Sequence, residues 1–461
     1  YLLPGKETAV LKMYGFSVPE INYLKKQFSG KKETVKINRL GLWQIIISFK
    51  SGSKGPDVLE KLRKAGCDTV SFMNREKIDR AGFTDLSGCS DMAKAFIEGF
   101  VLGNYSFQKY FTDKEKTKNT VAELGVLSEY VSSGEAGIIK TVCDAVYKAR
   151  DLVNEPGNML TAQKLAGEIV EMGKTSGYHT EVFGKKKIES MKMGGILAVN
   201  KGSIQPPTFS VLTWKPEYAV NRKPVVLVGK GVVFDTGGIN LKPGKSLEGM
   251  KADMAGAAAV AGCMYILASL KVPVYVIALV PATDNRPAQD AYVPHDVIFM
   301  HDGSTVEVMN TDAEGRLLLA DALSYAKKYK PELVVDIATL TGSAHAAVGH
   351  FAAVAMGNAS GKWFAKLKKS SEKVHERIVE FPFWDDYKEL LKSDVADMKN
   401  VGGAHAGAIT AGKFLEHFTD YPYIHIDIAG PGYLTKTDSY RGKGGTGTGV
   451  RLLADFIMNL Y

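Results

Sequence analysis

The spacing of apolar positions changes along the chain. Short apolar runs, bounded by turn residues, alternate with longer stretches where apolar side chains recur every three or four positions. The runs at 209–214, 225–228, 274–280, 297–300, 333–337 and 424–428 read as strands: they are short and rich in β-branched residues. The stretches 254–270, 314–329 and 450–460 read as helices. Ahead of them, Ile139, Val142, Cys143, Val146, Ala149 and Val153 form one amphipathic helical face, which ends at Asn154-Glu155-Pro156-Gly157. Earlier still, 43–49 has strand character, and 56–65 and 91–102 have helical character.

Alternating strands and helices imply a mixed central sheet covered by helices on both faces. The chain is therefore expected to be α/β with two domains. A small N-terminal α/β domain would span 1–131, a connecting helix 132–153, and a larger domain 154–461. Active sites in such sheets gather at the carboxyl ends of strands. No internal repeat or low-complexity segment interrupts the pattern.

With 461 residues, the chain is long for one core. Its 45% hydrophobic and 23% charged content is that of a globular protein and excludes a disordered or fibrous one. No uninterrupted apolar run approaches the ~20 residues that span a bilayer, so no membrane association is expected. The chain begins at Tyr1 without the basic-then-apolar order of a secretory signal, although a leader removed upstream is compatible with a first residue other than Met. Cys67, Cys89, Cys143 and Cys263 are irregularly spaced and include no C-x-x-C pair. This suits reduced thiols in a cytoplasmic protein.

The net charge of +8 is concentrated early. Residues 1–50 carry nine basic side chains (Lys6, Lys12, Lys25, Lys26, Lys31, Lys32, Lys36, Arg39, Lys50) against Glu7, Glu20 and Glu33. A solvated basic face is the favoured reading. The alternative is a nucleic-acid-binding regulator on the same scaffold, but no nucleic-acid motif accompanies the charge.

The candidate chemistry lies in "NTDAEGRL", Asn310 to Leu317, where Asp312, Glu314 and Arg316 alternate just before an apolar run. "GKGVVFDTGG" adds Lys230 and Asp235 after the strand "PVVLV", and "LKPGKSLEGMKADMAGAAAV" adds Lys242 and Asp253. Taken singly, each is a turn residue or a solvated charge. Together they are four carboxylates and two lysines near strand ends and helix starts. Carboxylates gathered so closely cannot all stay ionised without cations, and two divalent ions would suffice. Other catalytic patterns fail: "HERIV" at His375 lacks a second histidine, His345 and His350 do not share a helix face, and G-x-S-x-G is absent. "GKGGTG" at 442–447 follows no strand and reads as a flexible loop.

These motifs resemble the leucyl aminopeptidase family, the cytosol aminopeptidases. "NTDAEGRL" matches the family signature without departure. "VGKGVVFDTGG", "LKPG", "MKADMAGAAAV" and "ATLTG" follow in the family's order. "RDLVNEPGN" resembles the start of the family's catalytic domain and "IDIAGP" extends the likeness, while the first ~130 residues match only in size and position. The resemblance implies a metallopeptidase that removes N-terminal, leucine-like residues from peptides with two divalent ions, Zn or Mn. One ion would be held by Asp235, Asp312 and Glu314, the other by Lys230, Asp235, Asp253 and Glu314. Lys242 would polarise the scissile carbonyl, and Arg316 would hold a bicarbonate that accepts a proton from a metal-bridging water. Met250, Thr339 and Ala429 match substrate-pocket positions, with Leu340 and Gly342 offering backbone hydrogen bonds. Gly432 falls where some members carry a bulky side chain, implying a roomier pocket or a local rearrangement. The family also implies a cytoplasmic homohexamer.

Overall fold

The computed structural model describes residues 1–4, 7–30, 32–49, 55–113 and 118–461. Two compact units emerge: Tyr1–Cys143 with Asp438–Gly442, and Asp144–Thr437 with Lys443–Tyr461. The helix Ser133–Asn154 carries the amphipathic face read from the sequence.

In the first unit, strands β1 (Leu2–Pro4), β2 (Thr34–Asn38) and β3 (Trp43–Phe49) form one sheet, and β4 (Arg80–Thr84) and β5 (Glu123–Leu127) pair in parallel. The helix expected at 56–65 runs on to Arg75 and packs on Ser90–Gly103 at very close range. A side chain on Gly66 or Gly99 would collide with the opposite backbone, at 2.3 Å from Phe96 O and 2.0 Å from Arg63 O. Of the early basic residues, Lys6, Lys31 and Lys50 lie outside the described residues. Arg39 is paired with Glu20 at 2.7 Å, and Lys36 sits over the Phe72 ring.

The second unit contains β6 (His179–Gly184), β7 (Thr208–Trp214), β8 (Val225–Gly229), β9 (Gly231–Asp235), β10 (Val276–Asn285), β11 (Val297–Phe299), β12 (Thr305–Glu307), β13 (Leu333–Ala338), β14 (Ala353–Gly357), β15 (Ile378–Glu380), β16 (Met398–Lys399) and β17 (Tyr423–Asp427). The main sheet runs β15-β14-β17-β13-β8-β10-β7-β6, with β9 also paired to β10. Its centre, β17-β13-β8-β10, is parallel, while β14, β7 and β6 run antiparallel to their inner neighbours. The sheet is mixed, as the alternating pattern predicted.

Every residue of β8, β10, β13 and β17 is buried, which explains their unbroken apolar runs. Val226 and Val228 share a core with Leu317, Leu318 and Leu319 of the helix Glu314–Ala326. Gly229 points to the other face, where a Cβ would lie 2.8 Å from Ala257 of the helix Ala255–Ser269. Within Gly244–Ser269, an 18-residue window is apolar enough to cross a membrane, and 89% of it is buried in this fold. Its apolarity is that of a helix covered on all sides.

One reading is corrected and two parts of the chain are added to. β11, expected at 297–300, lies outside the main sheet and joins β12 and β16 in a small one. Its residues alternate exposed, buried, exposed, so it buries one face only. β6, β14 and β15 were not legible as strands; β6 and β15 are edge strands with much exposed surface. The glycine run at 442–447 lies ahead of the last helix, as expected, and its residues 444–447 are buried. Gly444–Gly445 pairs with Tyr433–Leu434, and side chains there would strike Asn154 at 2.3 Å and Val153 at 2.6 Å. Among the described residues, the cysteines form no disulfide, and Cys67, Cys143 and Cys263 are buried.

The contact between Ala255–Ser269 and the sheet has no slack. A Cβ on Gly256 would lie 2.1 Å from the Ile337 carbonyl oxygen, which is backbone. Gly256→Ala should therefore destabilise the protein by ~1–3 kcal/mol despite the better helix propensity of alanine. Denaturant unfolding tests this, and a wild-type midpoint would show that the helix can shift freely.

Candidate active site

The parallel strands deliver the charged residues to one end of the sheet. Lys230 follows β8, where its backbone N–H bonds the Ile337 carbonyl at 3.2 Å. Asp235 closes β9, and Gly237 and Gly238 (φ 87° and 67°) then turn the chain towards Lys242. A Cβ on Gly237 would sit 2.9 Å from Asp312 Oδ1, so glycine lets two carboxylate-bearing segments meet. Asp253 lies two residues ahead of the helix Ala255–Ser269, and Glu314 is the first residue of Glu314–Ala326. Thr339 to Gly342 leave β13, and Ala429 follows β17.

Every residue singled out from the sequence as ligand, catalyst or substrate contact lines a single cavity of about 530 Å³. Gly432 does not line it: a Cβ there would meet Ile428 O at 2.9 Å and Thr339 at 3.1 Å, so a bulky side chain has no room without rearrangement. Tyr433 lines the cavity instead. His345 also lines it, although its spacing suggested no such place.

The lysines and carboxylates interlock. Lys230 Nζ lies 2.8 Å from Asp253, 2.9 Å from Glu314 Oε1 and 2.9 Å from the Thr339 carbonyl. Lys242 Nζ lies 2.8 Å from Asp235 and 2.6 Å from Asp312. Burial alone would lower the pKa of both amines, but the carboxylates outweigh it and hold both ammonium groups above the ordinary lysine value. Burial, reinforced by Asp235, pushes the carboxyl of Glu314 up to about 8, and burial pushes Asp253 up to about 6. Gly315 answers why glycine stands inside "NTDAEGRL". A Cβ there would lie 2.4 Å from Lys230 Cε, so only glycine leaves the lysine its path.

Two lysines do not satisfy the cluster. Glu314 Oε2 is buried without a hydrogen-bond partner among the described residues. Asp235, Asp312 and Glu314 each offer an oxygen, all within 4.8 Å of one another. An orphaned buried oxygen beside an all-carboxylate donor set fits a divalent cation. Arg316 presents a second open valence: Nη1 donates to Asn400 O at 2.6 Å, while the buried Nε is unpartnered among the described residues. Burial lowers its pKa to about 10, so it stays cationic at neutral pH.

Supporting residues escaped the sequence reading. Asn285 Nδ2 donates to Asp235 Oδ1 at 2.9 Å and to Thr311 O at 3.0 Å, fixing one carboxylate and the loop that carries another. Asn400 Oδ1 accepts from Met309 N–H at 2.7 Å, and its amide donates to Asn310 O at 2.7 Å. Neither stands in a motif, because a supporting amide acts through a partner distant in sequence.

Residues 147–454 match the catalytic domain of the cytosol aminopeptidase family. The chain belongs to the cytosol aminopeptidase family. It is similar to the probable cytosol aminopeptidase of Chlorobaculum parvum, at 47% identity over 99% of this chain and 92% of that protein. The corresponding protein of Chlorobium limicola is 46% identical over 80% of this chain and 76% of its own. Among solved structures, the bottromycin maturation enzyme BotP in complex with Mn superposes with a TM-score of 0.85 at 31% identity, covering 93% of each chain. As a cytosol aminopeptidase, the protein is a metal-dependent peptide hydrolase acting at peptide N-termini.

Proposed function

We propose that the cavity is a two-metal centre that releases N-terminal residues, leucine-like ones preferred, from peptides. The observation that carries this reading is the cluster of four carboxylates around Lys230 and Lys242, with the buried Glu314 Oε2 still unpartnered among the described residues. Asp235, Asp312 and Glu314 would hold one divalent ion, and Lys230, Asp235, Asp253 and Glu314 the second, with Zn or Mn both suited to the donors. When bound, the ions would acidify a water, polarise the scissile carbonyl and anchor a free α-amine. Lys230 must shed its proton to serve as a ligand, and a dication beside it favours that loss.

Lys242 keeps its charge because Asp235 and Asp312 flank it. It therefore offers a fixed cation where an oxyanion develops. The free Nε of Arg316 supports a seat for a planar oxyanion, and bicarbonate there would supply a general base. Met250, Thr339 and Ala429 form the side-chain pocket, with Tyr433 at its wall, and Leu340 and Gly342 offer backbone hydrogen bonds to the peptide. The relatives' description as cytosol aminopeptidases supports a cytoplasmic location, and the family resemblance supports a homohexamer.

Three measurements bear on this reading. Turnover should require a free α-amine; N-acetylated peptides cleaved as fast as free ones would refute the amine anchor. The two lysines should fail differently. Lys230→Ala should lose metal, and excess metal should partly restore its rate. Lys242→Ala should keep its metal yet slow by ~10²–10³, the loss typical of one oxyanion donor. Metal stoichiometry beside turnover decides, and a metal-depleted, metal-rescued Lys242→Ala would reverse the assignment. Light scattering should give the mass of six chains, whereas a fully active monomer would contradict the hexamer.

A further inference from the structure

Asp427 ends β17 level with Ala338, the last residue of β13. Its carboxylate is buried and lies outside the cavity lining, yet it collects hydrogen bonds from both segments that lead into the cavity on this side. Oδ1 accepts from the backbone N–H of Leu340 at 3.1 Å and of Ala429 at 3.0 Å. Oδ2 accepts from the Thr341 hydroxyl at 2.7 Å. That hydroxyl in turn accepts from Ala344 N–H at 3.0 Å and caps the short helix Gly342–Val348.

The same segment reaches the charged cluster at its other end. The Thr339 carbonyl accepts from Lys230 Nζ at 2.9 Å, and the Thr339 hydroxyl donates to Asp253 Oδ1 at 2.8 Å. One carboxylate thus fixes Leu340, Thr341 and Ala429 while their neighbour Thr339 is held by the metal-binding cluster. A carboxylate is costly to bury unless its oxygens are well used, and a bland strand-end tie would need only one acceptor. Here the acceptors join two stretches, one of them 87 residues away in sequence, and both contribute to the proposed substrate wall.

We propose that Asp427 is a positioning residue for substrate selection. Through these hydrogen bonds it sets the spacing between the wall at 339–342 and 429 and the Lys230–Asp253 pair. It therefore governs the fit of the N-terminal side chain without touching substrate. This rests on the reading of those positions as the substrate wall.

The test uses metal-loaded wild type, Asp427→Ala, Asp427→Asn and Thr341→Val, assayed on leucyl, methionyl, alanyl and glycyl amides with metal content measured alongside. Asp427→Ala should raise KM for the leucyl amide by about tenfold or more, the equivalent of one or more lost hydrogen bonds, and compress the preference for large over small residues. Its kcat and metal content should stay close to wild type. Asp427→Asn keeps the Oδ1 acceptor and should recover most of the KM, while Thr341→Val should shift KM the same way by less. An Asp427→Ala enzyme with wild-type KM and preference would overturn the proposal, as would equal deficits in the Ala and Asn variants. Should Asp427→Ala fail to fold, Thr341→Val against Thr341→Ser decides: Ser must keep the wild-type KM and Val raise it, and equal values overturn the proposal. A wild-type enzyme that cleaves all four amides alike would instead refute the wall itself, so the two failures are distinguishable.

Discussion

Asp235, Asp253, Asp312 and Glu314 surround one cavity, and their mutual repulsion in a poorly solvated space is the constraint that the rest of the catalytic unit serves. Burial already pushes Asp253 and Glu314 above the ordinary carboxylate range. Such a cluster persists in a folded chain only where cations answer it or some of its members take up a proton. Lys230 and Lys242 answer part of it, and one buried oxygen of Glu314 is left without a hydrogen-bond partner among the described residues, which is why we propose a metal there.

The scaffold explains how the charges can be brought so close. Parallel strands end together, so the residues following β8, β13 and β17 converge although they are far apart in sequence. Glycine then removes the steric obstacles. Gly315 clears the path of Lys230, Gly237 lets Asp312 approach, and Gly256 lets its helix settle on the β13 backbone. Replacing these small contacts by side chains would separate the very groups that the chemistry needs at hydrogen-bond distance. The fold's close packing and its electrostatic strain are two sides of one arrangement.

Two amides outside the motifs, and the carboxylate of "IDIAGP", hold the arrangement in register. Asn285 secures Asp235 and the 311 loop, Asn400 secures the 309–310 backbone and engages Arg316, and Asp427 gathers 340, 341 and 429. Apart from the local bond of Asp427 to Ala429, these contacts bridge gaps of 26 to 91 residues. Their roles follow from where the chain brings them, which one-dimensional spacing does not encode.

The sequence by itself determined the mixed α/β class, the buried strands of the sheet centre and the list of charged residues. These follow from local signals: fully buried strands need unbroken apolar runs, and a loop entering a helix shows its carboxylates beside glycine. Edge strands such as β6 and β15 bury too little to leave such a signal, and β11 looked central only because a short apolar run does not state which sheet it joins. Only the tertiary structure decided that the glycines at 444 and 445 pack closely on Asn154 and Val153, and that Tyr433, not Gly432, meets the cavity. It also decided which oxygen is left without a partner. Those are properties of distances between segments, and distance between segments is fixed by packing.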